Sequence, residues 1–184
     1  MRKIVAGTFV SLDGVMEAPD QWHFPYFNDE MGEAVGSGMA AADAMLLGRV
    51  TYQEFASYWP HQSNDVEPAE FMNGVTKYVV STTLDNVAEW QNSTLIDGTN
   101  FVEEMTKLKQ QPGKDISVVG SAKLVQSLLR ENLLDELSLL VHPIVVGSGK
   151  RLLDGDIGQK PLKLVEAKTF STGVLHLIYQ PANN

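Results

Sequence analysis

Short runs of apolar residues recur along the chain, and segments with helical spacing separate them. Several runs are almost continuous in Val, Ile and Leu, which is typical of strands whose two faces are both buried. The pattern predicts eight strands, over residues 3–10, 44–47, 77–82, 93–96, 115–119, 136–146, 162–170 and 174–180. Strands that alternate with helices in this way indicate an α/β protein.

Helices are predicted in the intervals between these strands. Asn28 is a good N-cap for a helix over residues 29–41. Thr51 and Glu54 match a capping box, which would begin another helix at Thr51. Two further helices follow from apolar residues that recur on one face: Phe101, Met105 and Leu108 in one, Leu124 and Leu128 in the other.

The helical pattern ends after residue 134. From there, two alternating strands flank the turn Ser-Thr-Gly at 171–173, which predicts a C-terminal β-hairpin. We therefore expect one domain over residues 1–184, with a mostly parallel central sheet that is flanked by helices and closed by an antiparallel hairpin.

Charge and composition narrow the range of partners. The chain has 14 Lys and Arg against 23 Asp and Glu, a net charge of -9, which repels a nucleic-acid backbone. No run approaches the ~18 apolar residues of a membrane span, so we expect neither nucleic acid nor membrane as a partner. Cysteine is absent, which excludes thiol chemistry and agrees with a cytoplasmic location. The apolar start ends at Asp13 and is interpreted as a first strand rather than a signal peptide.

The junction between the second strand and the next helix carries Gly48 and Arg49. A helix that begins at Thr51 directs free backbone N–H groups towards this point, which favours a bound anion. Gly48 lets the backbone approach a ligand, and the Arg49 guanidinium can bind a phosphate through two hydrogen bonds. The alternative is that Arg49 is a solvated turn residue and Thr51 only a helix cap.

A second junction of the same kind, from a buried strand into a helix, contains Gly120, Ser121 and Ala122. Two such junctions at one edge of a sheet can hold a long ligand that carries two phosphate groups. Ser81 and Thr82 end a third strand, and their hydroxyls suit a ribose, although strand ends before turns commonly carry such residues.

Other kinds of site have little support. No G-x-G-x-x-G is present, the segment 147–151 does not complete a P-loop, and the four histidines lack metal-ligand spacing. A hydrolytic triad of Asp13, His142 and a serine is conceivable, but the chain has no G-x-S-x-G.

Taken in order, these motifs resemble the dihydrofolate reductase-like superfamily, and within it the branch similar to the C-terminal reductase domain of bacterial riboflavin biosynthesis proteins. The similarity covers nearly the whole chain, and its markers are SLDG (11–14), LLGRVTY (46–52), VVSTT (79–83), VVGSAKLVQSLL (118–129) and LLDELSLLVHPIVVGSGKRLL (133–153). The resemblance implies the three-layer fold of that superfamily and NADPH as the cofactor.

The resemblance also implies which residues contact the cofactor. Arg49 would face the 2′-phosphate of NADPH, the two glycine junctions would hold the other phosphates, and the third strand end would face the adenosine ribose. The residues concerned are Gly48, Arg49 and Thr51 at the first junction, Gly120, Ser121 and Ala122 at the second, and Ser81 and Thr82 at the strand end.

On the substrate side, the resemblance indicates two acidic catalytic candidates, Asp13 and Asp29. Each has an ordinary alternative, because Asp13 precedes a turn glycine and Asp29 suits the first turn of a helix. Clustered aromatics can wall a substrate pocket or simply pack in the core. The residues expected at the substrate are Trp22, Phe27, Gly147 and Gly149.

The leading hypothesis is an NADPH-dependent reductase of a small heteroaromatic or pyrimidine-type substrate, similar to the 5-amino-6-(5-phosphoribosylamino)uracil reductase of the riboflavin pathway. The alternative is a non-catalytic NADP(H)-binding module on the same fold. A hydrolase is the least favoured interpretation.

A homodimer is expected from the segment 136–146, which is long for a strand and contains Pro143. Proline cannot donate to a strand ladder, so an apolar sheet edge at this point would need a cover. In the riboflavin-type branch a second copy of the chain is the usual cover. The alternative is that the hairpin over 162–180 covers the edge within one chain.

Overall fold

The computed structural model describes residues 1–63 and 65–182, which form eight strands and five α-helices. The strands are β1 (Ile4–Ser11), β2 (Ala42–Gly48), β3 (Thr76–Ser81), β4 (Ser93–Asp97), β5 (Asp115–Val118), β6 (Glu136–His142), β7 (Leu162–Thr169) and β8 (Leu175–Pro181). The helices are α1 (Asp29–Ala41), α2 (Arg49–Ala56), α3 (Ala69–Gly74), α4 (Phe101–Gln110) and α5 (Ala122–Arg130).

All eight strands belong to one sheet, in the order β4-β3-β2-β5-β1-β6-β8-β7. The pairs from β4 to β6 are parallel, and β8 runs antiparallel to both β6 and β7. The predicted parallel sheet with a C-terminal antiparallel hairpin is therefore confirmed.

Helices cover both faces of the sheet, and the alternation of side chains along β2 shows how the layers are divided. Ala44 and Leu46 pack in one cluster with residues of α4 and α5. Met45 and Leu47 point the other way and pack with residues of α2 and α3. Because successive strand residues face opposite sides, this single strand contributes to both hydrophobic cores, and the three layers follow.

The first helix has the predicted bounds. The Asn28 side chain accepts a hydrogen bond from the Met31 N–H at 3.0 Å, as an N-cap should. Met31 is fully buried and packs against Leu140, Phe170 and Val174. This places α1 on the same face as α2, beside the central strands.

Strand β6 is shorter than predicted, because it ends at His142 rather than at residue 146. Pro143 follows and has no N–H to continue the ladder. The Ile144 N–H turns back to the His142 carbonyl at 2.8 Å, and the Leu12 N–H donates to the Ile144 carbonyl at 2.8 Å. The apolar residues after Pro143 therefore form a loop and not a sheet edge.

The edge of β6 is covered within the chain. Residues Leu137 to Val141 of β6 pair with Tyr179 to Leu175 of β8. The expectation that a second copy covers this edge is therefore wrong, and the hairpin does so instead. The exposed edge strand on this side of the sheet is therefore β7.

One helix had no counterpart in the sequence pattern. Helix α3 has six residues, with Ala69 and Met72 buried. A helix this short shows too few repeats for its periodicity to stand out.

Within the described residues, no helix is long and apolar enough to cross a membrane.

Candidate functional site

The two glycine junctions meet at one edge of the sheet. β2 and β5 are parallel neighbours, with Leu46 opposite Val118, so their carboxyl ends lie side by side. The Ser121 hydroxyl accepts a hydrogen bond from the Gly48 N–H at 2.9 Å and donates one to the Thr51 hydroxyl at 2.9 Å. One serine side chain thus joins both junctions, and the expectation that they share an edge is confirmed.

Helix α2 begins earlier than predicted. It starts at Arg49 with Gly48 as its N-cap, and no side chain of the described residues caps it. Thr51 is the third helical residue and is buried, with its hydroxyl turned to Ser121. The predicted capping box at Thr51 is therefore wrong, because tertiary contact with Ser121 takes the hydroxyl that a cap would use.

Helix α5 has the same open beginning. Its N-cap is Ser121, whose side chain makes no cap hydrogen bond because its hydroxyl is bonded to Gly48 and Thr51 instead. Among the described residues, no side chain therefore accepts a hydrogen bond from the first N–H groups of either helix. Adjacent helix N-termini with free N–H groups form a suitable site for an anion.

Gly120 sets the shape of the second junction. Its φ of +67° lies in the left-handed region, and a Cβ there would come within 3.0 Å of Thr51 Cγ2. A side chain would therefore be strained and would also push on α2. The close approach of the two junctions depends on this glycine.

Arg49 brings a positive charge to the same edge. Its side chain is exposed at the first position of α2, and its guanidinium donates to the Gln53 side chain at 3.3 Å. Within the described residues it has no carboxylate partner within 4.0 Å. The charge is available to a ligand.

The end of β3 lies next in the sheet, with Val80 opposite Gly48. The Ser81 hydroxyl is nearly buried and accepts from the Thr83 and Leu84 N–H groups, each at 3.1 Å. The Ser81 hydroxyl is thus used to stabilise the turn that follows β3. Thr82 is exposed and is the residue of this predicted pair that a ligand could reach.

Asp13 is held in place by donors from its own turn and from the loop after β6. Its carboxylate accepts from the Ser11 hydroxyl at 2.6 Å, the Val146 N–H at 3.1 Å and the Gly147 N–H at 2.9 Å. These hydrogen bonds, the one from Ser11 foremost, lower the pKa of Asp13 from 3.8 to about 2. Asp13 therefore holds no proton at neutral pH, and it anchors the loop.

The loop that Asp13 anchors contains Gly147 and Gly149. Both have positive φ, +87° and +120°. A Cβ on Gly149 would lie 3.0 Å from Val15 Cγ1. Gly149 therefore lets the loop pack tightly against the turn after β1, and Gly147 supplies a left-handed backbone conformation.

The second acidic candidate lies on α1. Asp29 is the first helical residue and is exposed. Its neighbour Glu30 accepts from the Ser171 N–H at 2.8 Å and from the Asn28 side chain at 3.1 Å. The Ser171 N–H is the largest cause of the lowered pKa of Glu30. Glu30 ties α1 to the hairpin, while Asp29 stays open to solvent.

Residues 19–27, which we call the aromatic cap, lie over the ends of β1 and β6. Trp22 is buried, and its indole N–H donates to the Glu17 carbonyl at 3.1 Å. Phe24 and Phe27 are 64% and 53% exposed. Trp22 therefore packs in the interior, whereas the rings of the two phenylalanines remain accessible to a ligand.

An opening lies beside the aromatic cap. Gly7 lies in the middle of β1 and is exposed, and no atom of a described residue beyond its chain neighbours lies within 4 Å of the position that a Cβ would occupy. Its neighbour Ala6 is fully buried in the cluster with α4 and α5. Gly7 therefore faces the side of α1 and α2, and the sheet is uncovered there.

Two histidines were not among the predicted ligand-binding residues. His142 is fully buried at the end of β6, opposite Ser11 of β1. His23 lies in the aromatic cap and stacks on Phe9 with ring centroids 4.8 Å apart. Only the pairing of β1 with β6 brings His142 to the cap, and no local sequence pattern signals that contact.

The hydrolytic triad is not formed. The Ser11 hydroxyl donates to Asp13 rather than to a histidine. His142 Nδ1 lies 2.8 Å from the Leu140 carbonyl oxygen and not from a carboxylate. Since Asp13 and His142 form no serine–histidine–carboxylate chain with the described residues, the hydrolase interpretation has no basis.

This arrangement defines a class: α/β proteins of dihydrofolate reductase-like topology. In this chain the N-termini of two helices, α2 and α5, form a site at the carboxyl ends of the parallel strands. The chain belongs to the family of the RibD C-terminal domain, whose profile matches residues 2–176. It is 32% identical over 183 residues to the protein YyaP of Bacillus subtilis (strain 168), an alignment that covers 97% of this chain and 94% of YyaP.

Solved structures agree on the fold. A protein of Shewanella sp. PV-4 described as a riboflavin biosynthesis protein has a TM-score of 0.80 at 20% identity, over 100% of both chains. The dihydrofolate reductase of Enterococcus faecalis, solved with NADP(H), has a TM-score of 0.64 at 14% identity, over 98% of this chain and 97% of that one. The expected dihydrofolate reductase-like fold is confirmed.

Proposed function

We propose that the chain is an NADPH-dependent reductase of a small heteroaromatic or pyrimidine-type substrate, of the kind that acts in the riboflavin pathway. The observation that carries this proposal is the Ser121 contact, which joins two helix N-termini without side-chain caps below the exposed Arg49. Membership of the RibD C-terminal domain family supports the reductase class.

In this proposal the helix ends bind the phosphates of the cofactor. The N–H groups at the starts of α2 and α5, including those of Arg49 and Ala122, bind the pyrophosphate, and the Arg49 guanidinium binds the 2′-phosphate. Gly48 and Gly120 leave room for the approach, and Thr82 faces the ribose. When bound, NADPH supplies the hydride, and the protein provides orientation and a dry pocket.

The substrate is proposed to bind at the opening above Gly7, beside the aromatic cap. The exposed rings of Phe24 and Phe27 offer faces on which a planar heterocycle can stack. Asp29, exposed at the start of α1, remains the acidic residue proposed to act on the substrate. Asp13 keeps a positioning role, because it holds the loop with Gly147 and Gly149.

The second candidate function is a non-catalytic NADP(H)-binding module. It is favoured by one observation: two carboxylates, Asp13 and Glu30, are both engaged in hydrogen bonds that lower their pKa values. Oxidation of NADPH with a panel of pyrimidines and other heterocycles separates the two functions, because a module binds the cofactor without turnover.

Cofactor choice tests the proposed site. The wild-type protein is expected to bind NADPH more tightly than NADH. The variant Arg49→Gln should weaken NADPH binding by roughly 10- to 100-fold, because one charge-assisted hydrogen bond to the 2′-phosphate is lost. The affinity for NADH, which lacks this phosphate, should stay nearly unchanged. Titration calorimetry measures both. Arg130→Gln, at the opposite end of α5, is the matched control. Equal affinity of the wild type for the two cofactors would contradict the proposal.

We also propose that the protein forms a homodimer, through the β7–β8 hairpin rather than through β6. Strand β7 is the outer strand of the sheet, and its residues Leu164 and Val165 are 47% and 52% exposed. Val165 lies at a β-bulge between Leu164 and Glu166, so this edge strand carries exposed apolar surface at an irregular part of the ladder. A two-fold partner is the commonest cover for such a surface.

A further inference from the structure

His142 carries a buried hydrogen-bond acceptor without a partner. Its Nδ1 is 2.8 Å from the Leu140 carbonyl oxygen, which can only accept, so Nδ1 holds the proton. Burial lowers the pKa of His142, and the backbone of Leu140 and Val10 opposes this only in part, so the neutral ring prevails at neutral pH. Nε2 is therefore a lone-pair acceptor, and no described residue bonds to it.

Aromatic rings surround this acceptor. The ring centroids of Phe9, Trp22 and Tyr26 lie 5.6, 5.1 and 5.7 Å from that of His142, each edge to face. The indole N–H of Trp22 is already used within its own segment. Apolar walls around a few polar atoms are the usual composition of a small-ligand pocket.

His23 supplies a second polar atom of the same kind. It is 8% exposed, its Nδ1 is buried without a partner, and its ring centroid is 6.2 Å from that of His142. His23 stacks on Phe9, which lies two residues after the exposed Gly7 on the same face of β1. Phe9 contacts both histidine rings and thus links them to the face of the sheet on which the opening above Gly7 lies.

The aromatic cap that covers them is attached to the rest of the protein by packing alone. Every hydrogen bond that residues 19–27 form within the described structure goes to a residue between 17 and 27. No ladder or helix bond must break for the cap to lift. A ligand can therefore gain access to His142 at the expense of side-chain contacts, which its own ring can replace.

We propose that His142 Nε2 and His23 Nδ1 form a polar ligand subsite under the aromatic cap, and that His142 accepts a hydrogen bond from a ring N–H of a planar heterocycle. This deepens the proposed function and rests on it. The substrate class it names is a flat, uncharged ring with lactam or similar N–H groups. Such a ring presents a donor to Nε2 and two faces to the aromatic walls.

Two matched probes test this subsite: 5,6-diaminouracil, which has ring N–H groups, and its 1,3-dimethyl analogue, which has none. Calorimetry with the full chain in the presence of NADP⁺ is expected to give about tenfold tighter binding of the N–H probe, the effect of one buried hydrogen bond. In His142→Phe that preference should fall to about one, while His61→Phe, at an exposed position, keeps it.

A spectroscopic measurement covers the case in which His142→Phe does not fold. The chain has four histidines, so their ring nitrogens can be followed in the wild type by two-bond ¹H–¹⁵N correlation. His142 is expected to show the Nδ1–H tautomer, and its Nε2 signal to shift when the N–H probe binds but not with the dimethyl analogue. Equal binding of the probes, binding of neither, or an unmoved Nε2 signal overturns the subsite.

The two proposals can fail separately. If the N–H probe moves Nε2 but NADPH does not bind, the subsite stands and the reductase proposal fails. If NADPH binds with selectivity through Arg49 while the two probes bind alike, the reductase proposal stands and the subsite is wrong.

Discussion

At the residue scale, two short side chains organise the site through tertiary hydrogen bonds. Ser121 bonds to Gly48 and Thr51, and Asp13 bonds to the loop at Val146 and Gly147. Both connect segments far apart in sequence at the carboxyl edge of the sheet. Ser121 makes these bonds in place of a helix cap, whereas Asp13 adds them to the bond that it accepts from Ser11 within its own turn.

Asp13 gives a prediction about stability in acid. Its folded pKa of about 2 lies below the ordinary 3.8, so its contribution to stability is present above pH 3.8 and is lost as the pH falls through about 2. Asp13→Asn should therefore be less stable than the wild type at pH 5, and the difference should shrink towards pH 2.

Urea unfolding at a series of pH values between 5 and 2 measures this difference. Asp85→Asn, at an exposed position, is the control for the general effect of removing a carboxylate. A difference between Asp13→Asn and the wild type that is constant over the whole pH range would show that Asp13 does not titrate below its ordinary value.

At the element scale, glycines divide into those that shape the site and those that weaken a helix. Helix α1 forms over its full predicted length although it contains three glycines. Gly36 lies within it with ordinary helical backbone and open space where a Cβ would be. Gly120, in contrast, has a φ of +67° and would press a Cβ against Thr51.

Substitution by alanine should therefore have opposite effects at these two positions. Gly36→Ala should raise the free energy of unfolding by about 0.5–1 kcal/mol, because alanine restricts the unfolded chain and favours the helix. Gly120→Ala should lower both the free energy of unfolding and the affinity for NADPH. Thermal unfolding and calorimetry measure the pair, and equal behaviour at both sites would contradict the assignment of Gly120.

At the scale of the whole molecule, the hairpin decides which surface is left at the edge of the sheet. Strand β8 covers β6, and β7 becomes the outer strand with the exposed apolar residues Leu164 and Val165. Within the described residues, Leu164 and Val165 belong to none of the hydrophobic clusters that contain helix residues, whereas Leu162 of the same strand packs against one of them.

The homodimer proposal predicts a mass of about twice 20.2 kDa by light scattering at micromolar concentration. Val165→Lys should return the mass to that of one chain, because a charge on the apolar edge opposes pairing. Val102→Lys, at an exposed position of α4, is the matched control. A wild-type mass of 20.2 kDa would exclude the dimer.

The sequence by itself determined the elements and their class. Apolar runs marked all eight strands, and the spacing of apolar residues with the Asn28 cap marked three helices. The Thr51 segment marked a fourth helix, α2, although its start was placed too late. These signals are local, since a strand or helix repeats its pattern over a few neighbouring residues. The two glycine junctions were visible for the same reason, because each lies within a short strand-to-helix segment.

The tertiary structure decided which contacts form between segments that are distant in sequence. It turned the Thr51 hydroxyl from a helix cap into a partner of Ser121, and it ended β6 at Pro143 with β8 along its edge. It also placed His142 beneath the aromatic cap, beside His23. These outcomes depend on strand order and register, which bring together residues that no local pattern relates.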